Sequence, residues 1–581
     1  MIRTRVSAAA LRMCACGLVA VTSALALAKP PAVLDRIPGD ALIVVTVPDM
    51  ARLNKDVKAF GTASGAPMDN MEPLQMVTAL LDTPGLNASG GAALAVMSLP
   101  NGGEAEPQMV LVAPVKDFAQ MVRGLGGEPG SGVVEAQAMG ENVFLKDIGG
   151  GYAVLGPSRD VVESFDGAGG RMETHVARLG KTGDRITSAS DITIVANVEG
   201  LRPMIQQGME QFKNQMEMMA MMMGPQAAQM EQSFAMMQAV GDAFQRDATV
   251  GLIGFDMSAE GIAIDMGANF RAGSPSASLM QGSGDSSKLT SRLPDMPFLF
   301  AFAADMKNAG LRGLMREVID LQKQAMPDAA QMSFLKAEMF EKVDGMTGMW
   351  GSPQSLMGAV FANSVIFQQC SDPASVMGAA KEAMAAMDGK TIQGVTYKTS
   401  YTAGGATVGD RKVDTWSMRA SFDMNNPNAM QMQQAAMMMW GAAGGPSGYI
   451  APTKNGYVQT FAPNSDLTGK AIAAAEAGNG LGAGERLKAA AANLPKDRSF
   501  EAYVGVKDIL DTVTLFMGMM GMQMEQPVPD KITPIAMGGV MGDGGVFVRT
   551  YAPASTIKTI ADMIPKQGGG GAGMDDDDAE F

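Results

Sequence analysis

Hydrophobic and polar positions fall into a recurring unit: a short apolar run rich in β-branched residues, an acid or serine, then apolar positions at helical spacing. Strands are expected at 41–47, 109–112, 192–198, 298–304 and 500–506. Helices are expected to follow at 50–60, 118–125, from 200 onward, 306–319 and 509–520. Asp49, Asp117, Asp305 and Asp508 stand at the junctions. Short polar side chains there accept hydrogen bonds from the free amides of a helix's first turn, so these acids count as caps before they count as catalysts.

Alternating runs at 250–255 and 262–266 flank Ala259-Glu260-Gly261, and runs at 449–450 and 457–461 flank Lys454-Asn455-Gly456. Both predict hairpins, and 359–362 is expected to pair with 365–368. Tight turns force antiparallel pairing, so the expected class is α+β, with mostly antiparallel sheets and helices packed on one face. The series of units runs from about Pro38 to Phe270 and begins again at Leu293-Pro294-Asp295, which predicts two similar tandem halves. The expected boundaries are 29–280, a linker at 281–292 that includes Gln281-Gly282-Ser283-Gly284, and 293–566. A Gly-rich acidic tail at 567–581 follows, and merged sheets are the alternative to separate domains.

The amino terminus changes the picture. Arg3, Arg5 and Arg12 precede and enter an apolar run that ends in Ala26-Leu27-Ala28, so residues 1–28 are expected to be a signal peptide cleaved between Ala28 and Lys29. The mature protein is then periplasmic or secreted. Losing three arginines takes the formal charge from -15 to -18. Such an acidic chain repels phosphate backbones, and nucleic acid is not an expected partner. With 46% hydrophobic and 18% charged residues the chain is globular rather than disordered. Cys14 and Cys16 leave with the leader, so Cys370 has no disulfide partner. The longest apolar stretch after the leader, 509–522, is interrupted by Asp511, Gly518 and Gly521, and no membrane span is expected in the mature chain.

The leader, the lead-in Ile37-Pro38-Gly39-Asp40-Ala41, the stretch from Ala92 to Leu125 and the exit Phe270-Arg271-Ala272-Gly273-Ser274 together resemble an uncharacterised family of exported bacterial proteins, a domain of unknown function. The resemblance covers most of the first half and implies an exported α+β domain, with no activity attached.

Methionine is the compositional anomaly, with 53 residues. Met216, Met219 and Met223 share one face of an expected helix, Gly224-Pro225 breaks it, and a second arm carries Met230, Met236 and Met237. Unbranched thioethers serve as adaptable core filler or as a surface for a partner helix or acyl chain. They are also selective copper(I) ligands, for which Met216, Met219, Met223, Met437 and Met439 beside Trp440 are the candidates. No histidine or cysteine adjoins either cluster.

Enzyme-like patterns are incomplete. Ser333 with Lys336 and Ser555 with Lys558 match S-x-x-K, but Lys181-Thr182-Gly183 precedes both serines and the middle element of a penicillin-recognising site is missing. Lys398-Thr399-Ser400 follows Ser333 without supplying that element. Gly180-Lys181-Thr182 lacks the first glycine and the strand of a phosphate loop. His175, the single histidine, is expected in a surface loop. No catalytic residue and no cofactor is assigned. The expectation is a non-enzymatic envelope protein acting by binding or structural association with an unknown protein or apolar ligand, with copper(I) binding and lipid or peptide binding as alternatives.

Overall fold

The computed structural model describes residues 30–66, 81–99, 107–138, 141–223, 238, 241–325, 341–353, 359–392, 395–423, 429–441, 444–519, 521 and 526–563. The expected leader, its cleavage site at Ala28 and Lys29, the acidic tail, and Met230, Met236 and Met237 lie outside them.

The first nine strands are β1 (Ile43–Val47), β2 (Ala92–Ser98), β3 (Gln108–Pro114), β4 (Val133–Ala138), β5 (Glu141–Gly149), β6 (Tyr152–Gly156), β7 (Ile192–Asn197), β8 (Ala248–Met257) and β9 (Gly261–Phe270). Eleven more follow: β10 (Phe298–Ala304), β11 (Gly345–Gly351), β12 (Ser364–Gln369), β13 (Thr391–Ile392), β14 (Val395–Val408), β15 (Arg411–Phe422), β16 (Ser447–Thr453), β17 (Gly456–Thr460), β18 (Phe500–Val504), β19 (Ile535–Gly542) and β20 (Gly545–Pro553). The helices are α1 (Met50–Ser64), α2 (Phe118–Gly124), α3 (Arg159–Ser164), α4 (Met172–Ala189), α5 (Val198–Met223), α6 (Pro275–Leu279), α7 (Ala309–Ala325), α8 (Pro373–Met387), α9 (Ala429–Trp440), α10 (Ser465–Ala477), α11 (Glu485–Ala491), α12 (Val506–Met519) and α13 (Ala554–Met563).

All twenty strands among the described residues join one antiparallel sheet, so the protein is α+β. The first half is ordered β4-β5-β6-β3-β2-β1-β7-β8-β9. The second is ordered β20-β19-β18-β10-β11-β12-β17-β16-β15-β14-β13. They meet where β9 pairs with β20, in register from Gly261 opposite Pro553 to Asn269 opposite Gly545. The last strand of the chain therefore lies in the middle of the sheet. The 281–292 stretch is packed beside it: the Ser286 N–H donates to the Arg498 carbonyl and Leu289 is buried.

Capping chemistry starts several helices as expected. Asp49 accepts from the Arg52 N–H, Asp117 from Gln120, Asp372 from Ser375 and Asn464 from Leu467. The helix layer, expected on one face, is divided between two. Strand residues alternate sides, and both sides of the central strands are apolar. On β8, Leu252 shares a core with Leu179 and Ile186 of α4, whereas Met257, of opposite parity, packs with Leu53, Val57 and Phe60 of α1. In the second half, α10 and α11 bury Leu467, Ala471 and Leu487 against one face, and α7 and α8 bring Leu311 and Val376 to the other.

Three local expectations fail. The helix expected from 306 begins at Ala309, and Asn308 rather than Asp305 accepts from its first turn, at the Leu311 N–H. Residues 365–369 do form a strand, but it pairs with β11 and β17 rather than with 359–362, which is a turn. The true partner, Gly345–Gly351, is rich in Met and Gly and lacks the β-branched run that marks a strand. His175 is not in a surface loop: it lies in α4, buried, with Nε2–H donating to the Ile37 carbonyl at 2.9 Å.

Candidate functional site

The strongest departure from ordinary burial is an apolar surface on the second half. Pairing of β10 with β11 sets Phe300 opposite Trp350, and the rings stack with centroids 4.8 Å apart. Trp350 leads to Phe361, Phe361 to Trp440 on α9, Trp440 to Phe461 and Phe461 to Trp416, with successive centroids 6.2, 5.1, 6.1 and 5.4 Å apart. Two backbone bonds hold α9 here, from the Val360 and Phe361 N–H groups to the Met438 and Met439 carbonyls. Trp350 itself is exposed.

Helix α12 borders this surface, with Thr512 Oγ1 3.5 Å from Ser352 Oγ. Asp508 anchors its first turn: the buried carboxylate accepts from the Phe298 N–H and faces the Arg486 guanidinium at 3.4 Å. Thr512 donates to the Asp508 carbonyl, so the polar residues one turn apart face the protein. Ile509, Val513 and Phe516, at i, i+4 and i+7, form a stripe on the outside, and Phe516 is 48% exposed. A helix of a water-soluble domain normally turns that stripe inward, and an outward one marks a contact surface. Met437, Met438 and Met439 of α9 add exposed thioethers, Met438 at 65%.

The methionine candidates are distributed over the two halves. Met216 is half-buried on α5, which packs on β7 and β8; the helix continues through Met219 and Met223, whose side chains lie outside the described residues. Met437 and Met439 are on α9, against β15. Among the described residues, no group of three or more His, Cys, Asp or Glu side chains is placed to hold a metal ion. Burial pushes the Cys370 thiol up to about 11, which leaves it unreactive as a nucleophile.

Acidic side chains gather in two networks. At the seam of the sheet, Arg549 grips Asp265 with two bonds of 2.7 and 2.6 Å. Asp256 lies 4.0 Å from both Arg549 and Arg52, and Arg52 also reaches Asp191 at 3.2 Å. Burial, reinforced by Asp191 and Asp265, pushes the Asp256 carboxyl up to about 6 against the pull of Arg549 and Arg52. In the second half Glu501 accepts from Arg498, Tyr503 and Thr290 inside the core. At the seam three carboxylates share two arginines, and in the second half Glu501 has Arg498 to itself; both networks tie separate segments of the chain together.

The enzyme-like patterns fall apart in space. Lys181 lies in α4 and pairs with Asp543 at 3.0 Å; Lys558 lies in α13 and pairs with Asp562 at 2.9 Å. Ser400 sits on β14, bonded to Ser417 across the hairpin, and Ser333 and Lys336 lie outside the described residues. Sequence reasoning missed the aromatic chain, for which the alternation of Phe300 and Phe302 was the one visible signal. It also missed the seam network, whose members come from four separate segments. Among the described residues, no helix is long and apolar enough to cross a membrane.

Fold and surface together define an antiparallel α+β protein with an outward apolar face. No known protein family, curated protein or solved structure matches the chain.

Proposed function

We propose that the chain is an exported, non-enzymatic protein of two related halves that acts in the cell envelope by association, using the face built by α12, α9 and Trp350. The observation that carries this reading is the outward stripe Ile509, Val513 and Phe516 beside the exposed methionines 437–439. Burying one large apolar side chain at an interface is worth about 1.5–3 kcal/mol, so a partner covering this face gains most from these residues. Flexible thioethers adapt their shape to the surface they meet. The leader-like segment at 1–28 supports the location.

The reading is tested by placing a photoreactive benzophenone side chain at Phe516, at Met438 and, as control, at the exposed Lys488 of α11 in the cell that makes the protein. Discrete adducts from Phe516 and Met438 but not from Lys488 are expected. The same yield at all three positions, or none at any, refutes it.

A further inference from the structure

The seam between the halves has a symmetry of its own. Taken inward from the outer edge, the first half runs β4-β5-β6-β3-β2-β1-β7-β8-β9. The second, inside β13 and β14, runs β15-β16-β17-β12-β11-β10-β18-β19-β20. Ranked along the chain, the nine positions come in the same sequence in both. Details coincide as well. Asp117 after β3 and Asp372 after β12 each cap a helix through the N–H three residues on. Asp191, just before β7, accepts from the Met257 N–H at 2.8 Å and faces Arg52 of α1. Ser499, just before β18, accepts from the Met541 N–H at 3.4 Å and from Asn308 Nδ2, at the start of α7, at 3.2 Å. One half holds an ionic form of this buried bracket and the other a neutral form.

Where the halves meet, corresponding positions stand 284 residues apart: Met257 and Met541 at the bracket, Gly261 and Gly545 at the start of β9 and β20, and Asp265 and Arg549 at the centre of the pair. Gly261 lies opposite Pro553 and Asn269 opposite Gly545, so the pairing exchanges one half for the other about a two-fold axis. The axis passes between Asp265 and Arg549, where a position meets its own counterpart. A self-complementary interface sets each residue on its axis against an identical one. Two first halves joined in this register would press Asp265 against Asp265 in a wholly buried place, and two second halves Arg549 against Arg549. Like charges directly opposite each other destabilise a ladder, the more so out of water.

We infer that the seam is a two-fold docking surface contained in one chain, and that Asp265 and Arg549 fit it to an unlike half in preference to a like one. The partner it selects is a β-edge of matching length with the opposite charge at its centre. The inference deepens the reading of two related halves and stands apart from the α12 face, whose crosslinking test reads a different surface.

The test uses the full chain with a protease site inserted after the exposed Ser283, folded first and cut afterwards. Heavy-isotope and light preparations are cut, mixed, held in urea just below the unfolding midpoint and read by native mass spectrometry. The cut halves are expected to stay together and to exchange into mixed heavy and light pairs of unlike halves. In Asp265→Leu with Arg549→Met the axis is neutral, and like pairs are expected to rise by about tenfold or more over the unaltered protein. Separation of the halves on cutting, like pairs as abundant as unlike ones in the unaltered protein, or no rise in the neutral variant overturns the inference. The uncut chain supplies a second measurement. Asp265→Arg and Arg549→Asp each put like charges on the axis and are expected to lower the urea midpoint. Together they turn the pair about its own axis and are expected to recover more than half of the loss, the remainder being Asp256, which gives up its Arg549 neighbour. A double variant no more stable than the single ones overturns the inference too.

Discussion

Replacing Arg549 by Met isolates the electrostatics of the seam. Asp265 is wholly buried and Arg549 is its bidentate partner across the β9–β20 pair, so the substitution strands a carboxylate in the interior. Breaking a buried pair from one side costs about 3–5 kcal/mol. The stranded group has one escape, which is to take up a proton. Above its ordinary value of 3.8 that costs about 1.4 kcal/mol per pH unit, or ~4 kcal/mol at pH 7 and ~2 kcal/mol at pH 5. The variant's carboxyl titrates higher folded than unfolded, so the loss of stability grows as pH rises. Urea unfolding followed by intrinsic fluorescence at pH 5 and pH 7 measures both values. Arg549→Met combined with Asp265→Leu is expected to return most of the stability, since an apolar pair replaces an ionic one without an orphaned charge. A loss below about 1 kcal/mol at pH 7, or an equal loss at the two pH values, refutes the account.

Two further titratable groups give signed expectations. Asp256 is raised to about 6, so its ionisation between about pH 4 and 6 costs the folded state stability that is fully present at lower pH. The ceiling of about 3 kcal/mol shrinks to ~1–2 kcal/mol for a side chain open to solvent by about a third, and Asp256→Asn is expected to raise the urea midpoint at pH 7.5 but not at pH 4. His175 moves the opposite way: burial holds its imidazolium below the ordinary 6.5 despite the bond to Ile37. Stability is therefore expected to fall as pH drops below about 6.5, and His175→Gln to flatten that part of the profile, as measured by thermal unfolding at pH 5 and 7.5.

The strand-to-helix units were legible because they rest on local chemistry. A run such as 298–304 carries its own pleat, and Asp49 or Asp117 its own cap, whatever the remainder of the chain does. The hairpins at 248–270 and 447–460 were legible because short polar turns, each closed by a Gly, separate their apolar runs. Gly456, for one, has φ of +155° and lies against the Gln368 carbonyl, where any side chain collides. The long β14–β15 hairpin was not seen, since Lys398, Thr399, Ser400 and Gly404 give it a polar composition that reads as a loop. The merging of the two halves into one sheet stood only as the alternative, and its place was hidden for a different reason: nothing local in 261–270 says that its outer edge is reserved for 545–553. The contact face was partly hidden too, because the apolar period of α12 is the same whether the stripe points inward or outward.

The position of β20 has a consequence for biosynthesis. Asp265 and Arg549 are 284 residues apart, an interval of about 15–60 s at ribosomal rates of 5–20 residues per second. For that time the nine amino-terminal strands can assemble with two open edges, the short β4 and the ten-residue β9, the second of which is left with a bare row of amides and carbonyls until β20 arrives. A chain in that state is a template for other copies of itself. A product released short of residue 545 keeps the β9 edge open permanently, so full-length synthesis is what closes the longest edge of the first half.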